Sequence, residues 1–213
     1  MSTVALSAGV WCRFGSRTAL AQGQCMAADR RAAARLPGWR AAQFLTGRSA
    51  VRGLLRDVLP NAAEAPISAE PGHKPMVAGF DEVSISISHS EHLVAVAVSA
   101  AGPVGIDLQL PPDSDCARLL RRCASRYLDH FAVLPDTERA VQLAWIWTAQ
   151  EACVKATGEG LAGLPWQIDV RPGQSAGRWR QLSWLSLRES SAVPVSCAWR
   201  TPPATTPDIR SAS

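Results

Sequence analysis

Two neighbouring segments near the middle of the chain constrain the fold most strongly. Residues 83–88 (VSISIS) alternate apolar and small polar side chains, as a half-buried strand does, and residues 93–98 (LVAVAV) form an apolar run of strand length. The polar connection at residues 88–92 (SHSEH) is short enough for a hairpin. The pattern predicts two antiparallel strands, with polar side chains crowded at one end of a sheet.

Further signals for helices and strands are spread over both halves of the chain. Helices are predicted over residues 27–36, 39–59, 115–133 and 137–157, and strands over residues 10–14, 104–108, 167–170, 179–187 and 195–200. Gly158 and Gly160 should end the last helix, and the proline-containing segment 61–79 should be an ordered loop. We predict an α+β fold of two similar lobes, each with helices packed on a small, mainly antiparallel sheet. The lobes should comprise residues 1–103 and 104–200, followed by a disordered tail over residues 201–213.

The composition limits the class of protein. A chain of 213 residues with 47% hydrophobic content can bury a substantial core. Its formal net charge of +4 favours acidic partners or phosphates. The six cysteines occur singly, without the spacing of a zinc or redox pair. The first residues lack the cationic start and long apolar run of a signal peptide, and the sequence has no apolar run of about 18 residues. We expect a cytoplasmic protein without a membrane span.

Arginines are concentrated between residues 30 and 56, where seven of them occur without an acidic residue. Arg48, Arg52 and Arg56 are four apart in a predicted helix and should form one ridge. The ridge suggests an anion nearby, although a solvated helical face would look the same. A nucleic-acid-binding domain is a further alternative, but no known DNA- or RNA-binding motif accompanies the charge.

A strand motif places polar groups on one face of a sheet. In residues 105–109 (GIDLQ), Asp107 and Gln109 are two apart and should point the same way, with Gly105 allowing a tight turn just before them. The alternative is a strand end at which both side chains are solvated.

A helix motif places two charges in apolar surroundings. In residues 147–155 (WTAQEACVK), Glu151 and Lys155 are four apart, so they can form an exposed ion pair. The neighbouring residues are strongly apolar, however, so the helix should be largely buried and its charges should have a function.

Together these motifs resemble the signatures of the Sfp-type phosphopantetheinyl transferases, G-I/V-D-x-E and W-S/T/C-x-K-E-A-x-x-K. They occur in the family's order and about forty residues apart. Residues 72–75 (GHKP), residues 87–90 (ISHS) and Gly47-Arg48 with Arg52 are similar to further family motifs. The resemblance spans roughly residues 40–164.

The resemblance implies an enzyme with holo-acyl-carrier-protein synthase activity. It also implies a monomer whose two lobes are related by a pseudo-twofold axis. It would transfer 4'-phosphopantetheine from coenzyme A to a serine of an apo acyl or peptidyl carrier protein, with Mg2+, and release 3',5'-ADP. The carrier would belong to fatty-acid, polyketide or nonribosomal-peptide synthesis. The implied coenzyme A ligands are Arg48, Arg52, Lys74, Ser88, His89 and Lys155, and the implied Mg2+ ligands are Asp107, Gln109 and Glu151. Lys155 would neutralise charge on the phosphates, and Glu151, directly or through a metal-bound water, is the candidate general base.

Two positions depart from the family pattern. Gln109 replaces a third acidic ligand, which should weaken Mg2+ binding, and Gln150 replaces a lysine, which should remove a cation directed at the phosphates. A degenerate member that binds coenzyme A or the carrier without catalysis is therefore an alternative.

Overall fold

The computed structural model describes residues 3–21, 25–68, 73–113 and 116–201. Gly72 of the GHKP motif, residue 115 and the predicted tail from residue 202 onward lie outside these ranges. Within them the chain has the α+β architecture that the sequence predicts, with two antiparallel sheets and a long helix packed on each. No helix in the described ranges is long and apolar enough to cross a membrane.

The first sheet is built from the N-terminal half of the chain. Its strands are β1 (Val4–Ser7), β2 (Val10–Ser16), β3 (Ile67–Ser68), β4 (Met76–Val77), β5 (Ser84–Ser90) and β6 (Leu93–Ser99). Their order is β1-β2-β6-β5-β4-β3, and neighbouring strands are antiparallel. The predicted hairpin is confirmed as β5 and β6, which pair from Ser84 opposite Ser99 to Ser90 opposite Leu93.

The second sheet is built from the C-terminal half. Its strands are β7 (Val104–Leu108), β8 (Ala176–Trp179), β9 (Leu182–Ser186) and β10 (Val195–Arg200), in the antiparallel order β7-β10-β9-β8. Strand β7, which carries the GIDLQ motif, therefore lies at the edge of this sheet and pairs only with β10 among the strands described.

Six α-helices complete the described fold. They are α1 (Arg17–Leu20), α2 (Ala27–Ala33), α3 (Gly38–Val58), α4 (Ala117–Cys123), α5 (Leu128–Ala132) and α6 (Asp136–Thr157). Pro37 and Pro135 directly precede the two long helices, α3 and α6. Gly158 ends α6 as predicted, since its φ of 79° is left-handed and its N–H donates to the Val154 carbonyl.

The elements stack in four layers. Helix α3 packs on one face of the first sheet through a cluster that includes Val51, Leu54 and Ile85. The opposite face contributes Cys12 and Ala97 to a second apolar cluster shared with β7 and β10. Helix α6 packs on the far face of the second sheet. The two sheets therefore lie between α3 and α6, and β5 and β7 meet at the junction.

Several predicted elements differ from the structure. The prediction of a strand over residues 167–170 is wrong, because Pro165 begins a 3-10 turn at Pro165–Gln167 instead. The single strand predicted over residues 179–187 is instead part of a hairpin of β8 and β9. Arg180 lies at its turn, in the left-handed region (φ 53°). The helix over 115–133 is interrupted by a 3-10 turn at Ser125–Tyr127, the loop over 61–79 contains β3 and β4, and β1 was not predicted.

Serine side chains of β5 cover the free edge of β7. The alternate N–H groups of β7 that do not face β10 belong to even-numbered residues, and each donates to a serine hydroxyl. The pairs are Val104 with Ser84 (3.2 Å), Ile106 with Ser86 (3.0 Å), Leu108 with Ser88 (3.2 Å) and, just beyond the strand, Leu110 with Ser90 (3.1 Å). We call these four serines the serine ladder. The polar face of β5, which the alternation predicts to be the exposed side of a half-buried strand, is therefore the junction between the sheets.

Candidate active site

Asp107 on β7 and Lys155 on α6 form the centre of the candidate site. The Asp107 side chain is almost fully buried, and the Lys155 ammonium lies 2.5 Å from its Oδ1 atom. The close approach of strand and helix depends on Gly105, because a Cβ there would lie 2.0 Å from the Ala152 carbonyl oxygen. Gly105 therefore lets the backbone of α6 pack closely against β7. The prediction of a tight turn at this position is wrong, because Gly105 lies within the strand.

Ser88 joins the same cluster from the other sheet. Its hydroxyl donates to Asp107 Oδ1 at 2.7 Å and accepts from Lys155 Nζ at 3.1 Å. The serine ladder thus brings a residue of the N-terminal half into contact with two residues of the C-terminal half. The site is assembled at the junction between the sheets.

Glu151 lies one turn before Lys155 on α6. Burial raises the pKa of Glu151, and the nearby Asp107 carboxylate raises it further, while Lys155 opposes the shift. Its Oε1 atom is buried without a hydrogen-bond donor in the described part of the chain. A buried carboxylate oxygen beside a second carboxylate is an unfavourable arrangement unless a cation or proton compensates it.

The oxygen groups fit a hard divalent cation. Asp107 and Glu151 are two interacting carboxylates, and Mg2+ binds one or two protein carboxylates while it keeps several waters. No group of three or more His, Cys, Asp or Glu side chains suited to a metal occurs in the described ranges. Gln109 is exposed, and its amide donates to the Leu110 carbonyl at 3.1 Å. Its role as a ligand stays a prediction.

A cavity of about 470 Å³ opens beside this cluster. Its cationic lining side chains are Arg40, Arg48, Lys74 and Lys155, with His89 and Phe44 nearby. Lys155 contacts Asp107 and also lines the cavity. The cavity therefore gathers cations next to the two carboxylates.

Arg48 is the most buried of these cations. The residue is 2% exposed, and its guanidinium lies over the Phe44 ring, 4.8 Å from the centroid. Its nearest carboxylate oxygen, Asp29 Oδ1, is 3.9 Å from Nε. Nε and Nη1 have no hydrogen-bond acceptor in the described ranges. An anion in the cavity would supply the missing acceptors.

Arg52 lies in the core behind the cavity. It is 0% exposed, and Nε donates to Asp29 Oδ2 at 2.7 Å while Nη1 donates to the Ala63 carbonyl at 2.6 Å. Arg56 instead pairs with Glu64. The predicted ridge is therefore not an exposed surface, because Arg48 and Arg52 are buried. Other arginines of the same segment are exposed, namely Arg30, Arg31, Arg35 and Arg40.

Asp29 is a functional candidate that the sequence reasoning missed. Besides Arg52 it accepts the Met26 N–H, which fixes the start of α2 against α3. The available signal was that an acid directly precedes the acid-free arginine segment.

His89 faces the cavity as an uncharged imidazole. Burial is the main cause that lowers its pKa to about 4, and the positive charges of Arg17 and Lys155 lower it further. Its place next to α3 requires Gly47, since a Cβ there would lie 2.9 Å from His89 Nε2.

Lys74 separates this cavity from a larger one at the other side of the junction. Its ammonium donates to Ser84 Oγ (3.0 Å) and to the carbonyls of Val104 (2.6 Å) and Ala156 (3.3 Å). Burial lowers its pKa to about 8. All three ammonium protons are thus used to connect β5, β7 and α6, and the predicted contact with coenzyme A stays a prediction.

Gln150 points away from the site. Its side chain is fully buried and donates to the Cys123 and Ile168 carbonyls, each at 2.9 Å. Gln150 therefore contributes no group to the cavity, and the loss of a phosphate-directed cation at this position stays a prediction. Gln150 instead holds α6 against the segments that contain Cys123 and Ile168.

Comparisons with known proteins agree with this geometry. Residues 103–195 match the model of the 4'-phosphopantetheinyl transferase superfamily. The chain is 34% identical over 154 residues to the 4'-phosphopantetheinyl transferase HetI of Nostoc sp., which covers 65% of this chain and 63% of the relative. It is 31% identical over 128 residues to the putative 4'-phosphopantetheinyl transferase slr0495 of Synechocystis sp., covering 57% and 51%. The matches thus span about half to two thirds of each relative.

Proposed function

We propose that the chain is a member of the 4'-phosphopantetheinyl transferase superfamily and that it transfers the 4'-phosphopantetheine group of coenzyme A to a serine of an apo carrier protein. One observation carries the proposal. The cluster of Asp107, Glu151 and Lys155 lies at the wall of a cationic cavity, and Lys155 belongs to both. A substrate that combines several phosphates with a reacting phosphoryl group fits such an arrangement.

Arg48 is the strongest candidate for a phosphate contact. It is buried, lines the cavity and has two N–H groups without acceptors in the described ranges. Lys155 and His89 would complete the contacts, with Lys74 at the far wall. Arg52 would act indirectly, by holding Asp29 and α2 in place behind Arg48.

Asp107 and Glu151 would hold Mg2+, with Gln109 or water completing its ligands. The fit rests on the two interacting carboxylates and on the buried Glu151 Oε1 atom without a donor. When bound, the ion supplies positive charge against the diphosphate oxygens.

The proposed reaction is a substitution at phosphorus. The carrier serine oxygen forms a bond to the β-phosphorus of coenzyme A, and the bond from that phosphorus to the bridging oxygen breaks. The electron pair of the broken bond leaves with 3',5'-ADP. Lys155 stabilises the negative charge that develops on the phosphate oxygens. Glu151, whose pKa is raised by burial, accepts the serine proton.

The proposed partner is a small acidic carrier domain, which suits the net charge of +4. Fatty-acid, polyketide and nonribosomal-peptide synthesis all use such carriers. Both halves of the chain contribute to the site, through Ser88 and Asp107, so we propose that a monomer is sufficient for activity. The cysteines are free, which suits a reducing compartment, and we propose the cytoplasm.

Mass spectrometry of a carrier protein tests the activity. Purified protein is incubated with Mg2+, coenzyme A and each of several apo carriers, and we expect the mass of one phosphopantetheine group to be added to a carrier. If no carrier gains this mass while coenzyme A still binds, the chain is the degenerate member instead.

Substitution of the carboxylates tests the site. Asp107→Ala and Glu151→Ala should each lower the transfer rate by more than about 100-fold, because loss of a metal ligand should exceed the typical effect of losing one of its supporting contacts. Circular dichroism of both variants checks that the fold is kept. Normal turnover in either variant would contradict the proposed site.

A further inference from the structure

The Ser88 hydroxyl has a complete set of hydrogen-bond partners. It lies 2.7 Å from Asp107 Oδ1, 3.1 Å from Lys155 Nζ and 3.2 Å from the Leu108 backbone nitrogen. Ammonium and backbone N–H groups only donate, so they occupy the two lone pairs of the hydroxyl. The hydroxyl proton is then directed at an acceptor.

Two acceptors compete for this proton, and Asp107 is favoured. The Leu108 carbonyl is 3.5 Å from Ser88 Oγ, whereas Asp107 Oδ1 is 0.8 Å closer and charged. Short hydrogen bonds to a carboxylate are roughly twice as strong as bonds between neutral groups. The orientation of the hydroxyl is therefore fixed by the chemistry of its neighbours.

A hydroxyl with all of its partners in place has no remaining capacity for a phosphate. In agreement, the described residues that line the 470 Å³ cavity include the neighbours Ile87 and His89, but not Ser88. Ser88 is also 4% exposed. Its contacts lead to Asp107 and Lys155 rather than to the substrate cavity.

We propose that Ser88 is a positioning residue that fixes both the Asp107 carboxylate and the Lys155 ammonium, and that it does not bind coenzyme A itself. The inference rests on the proposed function, since it concerns the residues that would hold the metal and stabilise the phosphates. Ser88 keeps Asp107 Oδ1 in place through one bond and Lys155 Nζ through another. Groups that orient a metal ligand in this way commonly change metal affinity or activity 10- to 100-fold when they are removed.

Ser90 provides a matched control within the same strand. It is also buried, and its hydroxyl accepts the Leu110 N–H at 3.1 Å, as Ser88 accepts the Leu108 N–H at 3.2 Å. The difference is that Ser88 additionally contacts Asp107 and Lys155. Comparison of Ser88→Ala with Ser90→Ala therefore separates positioning of the site from support of the sheet junction.

The experiment measures three quantities for wild type and both variants. These are the Mg2+ concentration that gives half-maximal transfer, the KM for coenzyme A, and the Kd for Mn2+ from electron paramagnetic resonance without turnover. For Ser88→Ala we expect the Mg2+ requirement and the Mn2+ Kd each to rise about 10-fold. The KM for coenzyme A should rise by less than the Mg2+ requirement, because Lys155 keeps its ion pair with Asp107. Ser90→Ala should leave all three quantities unchanged.

Two further substitutions cover the remaining cases. Ser88→Thr keeps the hydroxyl and should restore near-normal metal binding, whereas Ser88→Cys has a poor hydrogen-bonding group of similar size and should behave like Ser88→Ala. If Ser88→Ala does not fold, Ser88→Cys replaces it in the comparison.

The outcomes also distinguish this inference from the proposed function. If wild type modifies a carrier but Ser88→Ala has the metal requirement of Ser90→Ala, or raises only the KM for coenzyme A, the positioning role is overturned. If wild type modifies no carrier, the proposed function fails. In that case a raised Mn2+ Kd in Ser88→Ala still supports the positioning of Asp107, and an unchanged Mn2+ Kd overturns it.

Discussion

Position 109 sets the number of negative charges near the edge of the candidate site. Asp107 and Glu151 are close enough to interact electrostatically, whereas Gln109, just beyond the end of β7, presents an uncharged amide. Gln109→Glu should lower the Mg2+ concentration for half-maximal transfer by about five- to tenfold, equivalent to about 1 kcal/mol of charge attraction. The control is Gln109→Ala, which adds no charge. A higher Mg2+ requirement in Gln109→Glu would show that this side chain does not face the metal.

The lowered pKa of His89 predicts that the folded protein loses stability in mild acid. Its pKa is about 4 in the folded protein and about 6.5 in the unfolded chain, so the unfolded chain binds the proton first as the pH falls. Stability due to neutral His89 is therefore present above pH 6.5 and is lost as the pH falls toward 4. We expect a loss of about 2 kcal/mol between pH 8 and pH 5, from denaturant unfolding of wild type compared with His89→Gln. Parallel pH profiles of the two proteins would contradict the buried, neutral histidine.

A buried amide predicts a second effect on stability. Gln150→Met removes two hydrogen bonds and leaves the Cys123 and Ile168 carbonyls without this donor, which should lower the free energy of unfolding by about 2 kcal/mol. Gln142→Met on the same helix is the control, because Gln142 accepts one longer bond, at 3.3 Å, from the exposed Gly173 N–H. Equal losses in the two variants would argue against a structural role for Gln150.

Individual site residues differ in how far the sequence could place them. Asp107, Glu151 and Lys155 were identified from the resemblance of their motifs to the family signatures. Strand alternation and the helical spacing of four residues indicated only which side chains share a face. The same spacing could not show that Asp29 packs against Arg52, or that the face of α6 bearing Gln150 is buried. Those contacts depend on segments that are distant in sequence.

At the scale of single elements, the distance between β7 and α6 controls the site. A methyl group at position 105 would lie 2.0 Å from the Ala152 carbonyl oxygen and 2.4 Å from the Ala156 nitrogen, so α6 would have to move. Gly105→Ala should lower the free energy of unfolding by about 3 kcal/mol or more and separate Lys155 from Asp107. Gly38→Ala at the start of α3 meets no atom within 4 Å and should be neutral or slightly stabilising. Normal stability in Gly105→Ala would contradict this packing.

The elements themselves were predictable where periodicity was strong. The hairpin of β5 and β6 and the helices α3 and α6 follow from alternation and helical spacing over seven or more residues. Short segments were less informative. The four residues 167–170 read as a strand, but Pro165 and the neighbouring 3-10 turn decide their backbone, and the two-residue strands β3 and β4 carry too few residues for any period.

At the scale of the whole molecule, the serine ladder and Lys74 join the two sheets. Four hydroxyls accept N–H groups along the free edge of β7, and Lys74 donates to the Val104 carbonyl on the same edge. The ladder borders the apolar cluster between the two sheets, so a buried N–H group that loses its acceptor there costs about 1–3 kcal/mol. The sheets should therefore unfold together, because separation of β5 from β7 would expose or orphan these groups.

Hydrogen exchange can test this coupling. In wild type, the Ile106 and Leu108 amides of β7 should exchange only by global unfolding, with the same free energy as core amides of β6. In the double variant Ser86→Ala/Ser90→Ala, the Ile106 and Leu110 amides lose their acceptors, so both should exchange through local opening and faster than the β6 amides. The control is Ser186→Ala/Ser196→Ala, which removes a buried hydroxyl pair of the second sheet and its bond to Thr148 on α6, but none of the ladder serines. If the β7 edge stays as protected in the ladder variant as in this control, the serines do not hold the sheets together.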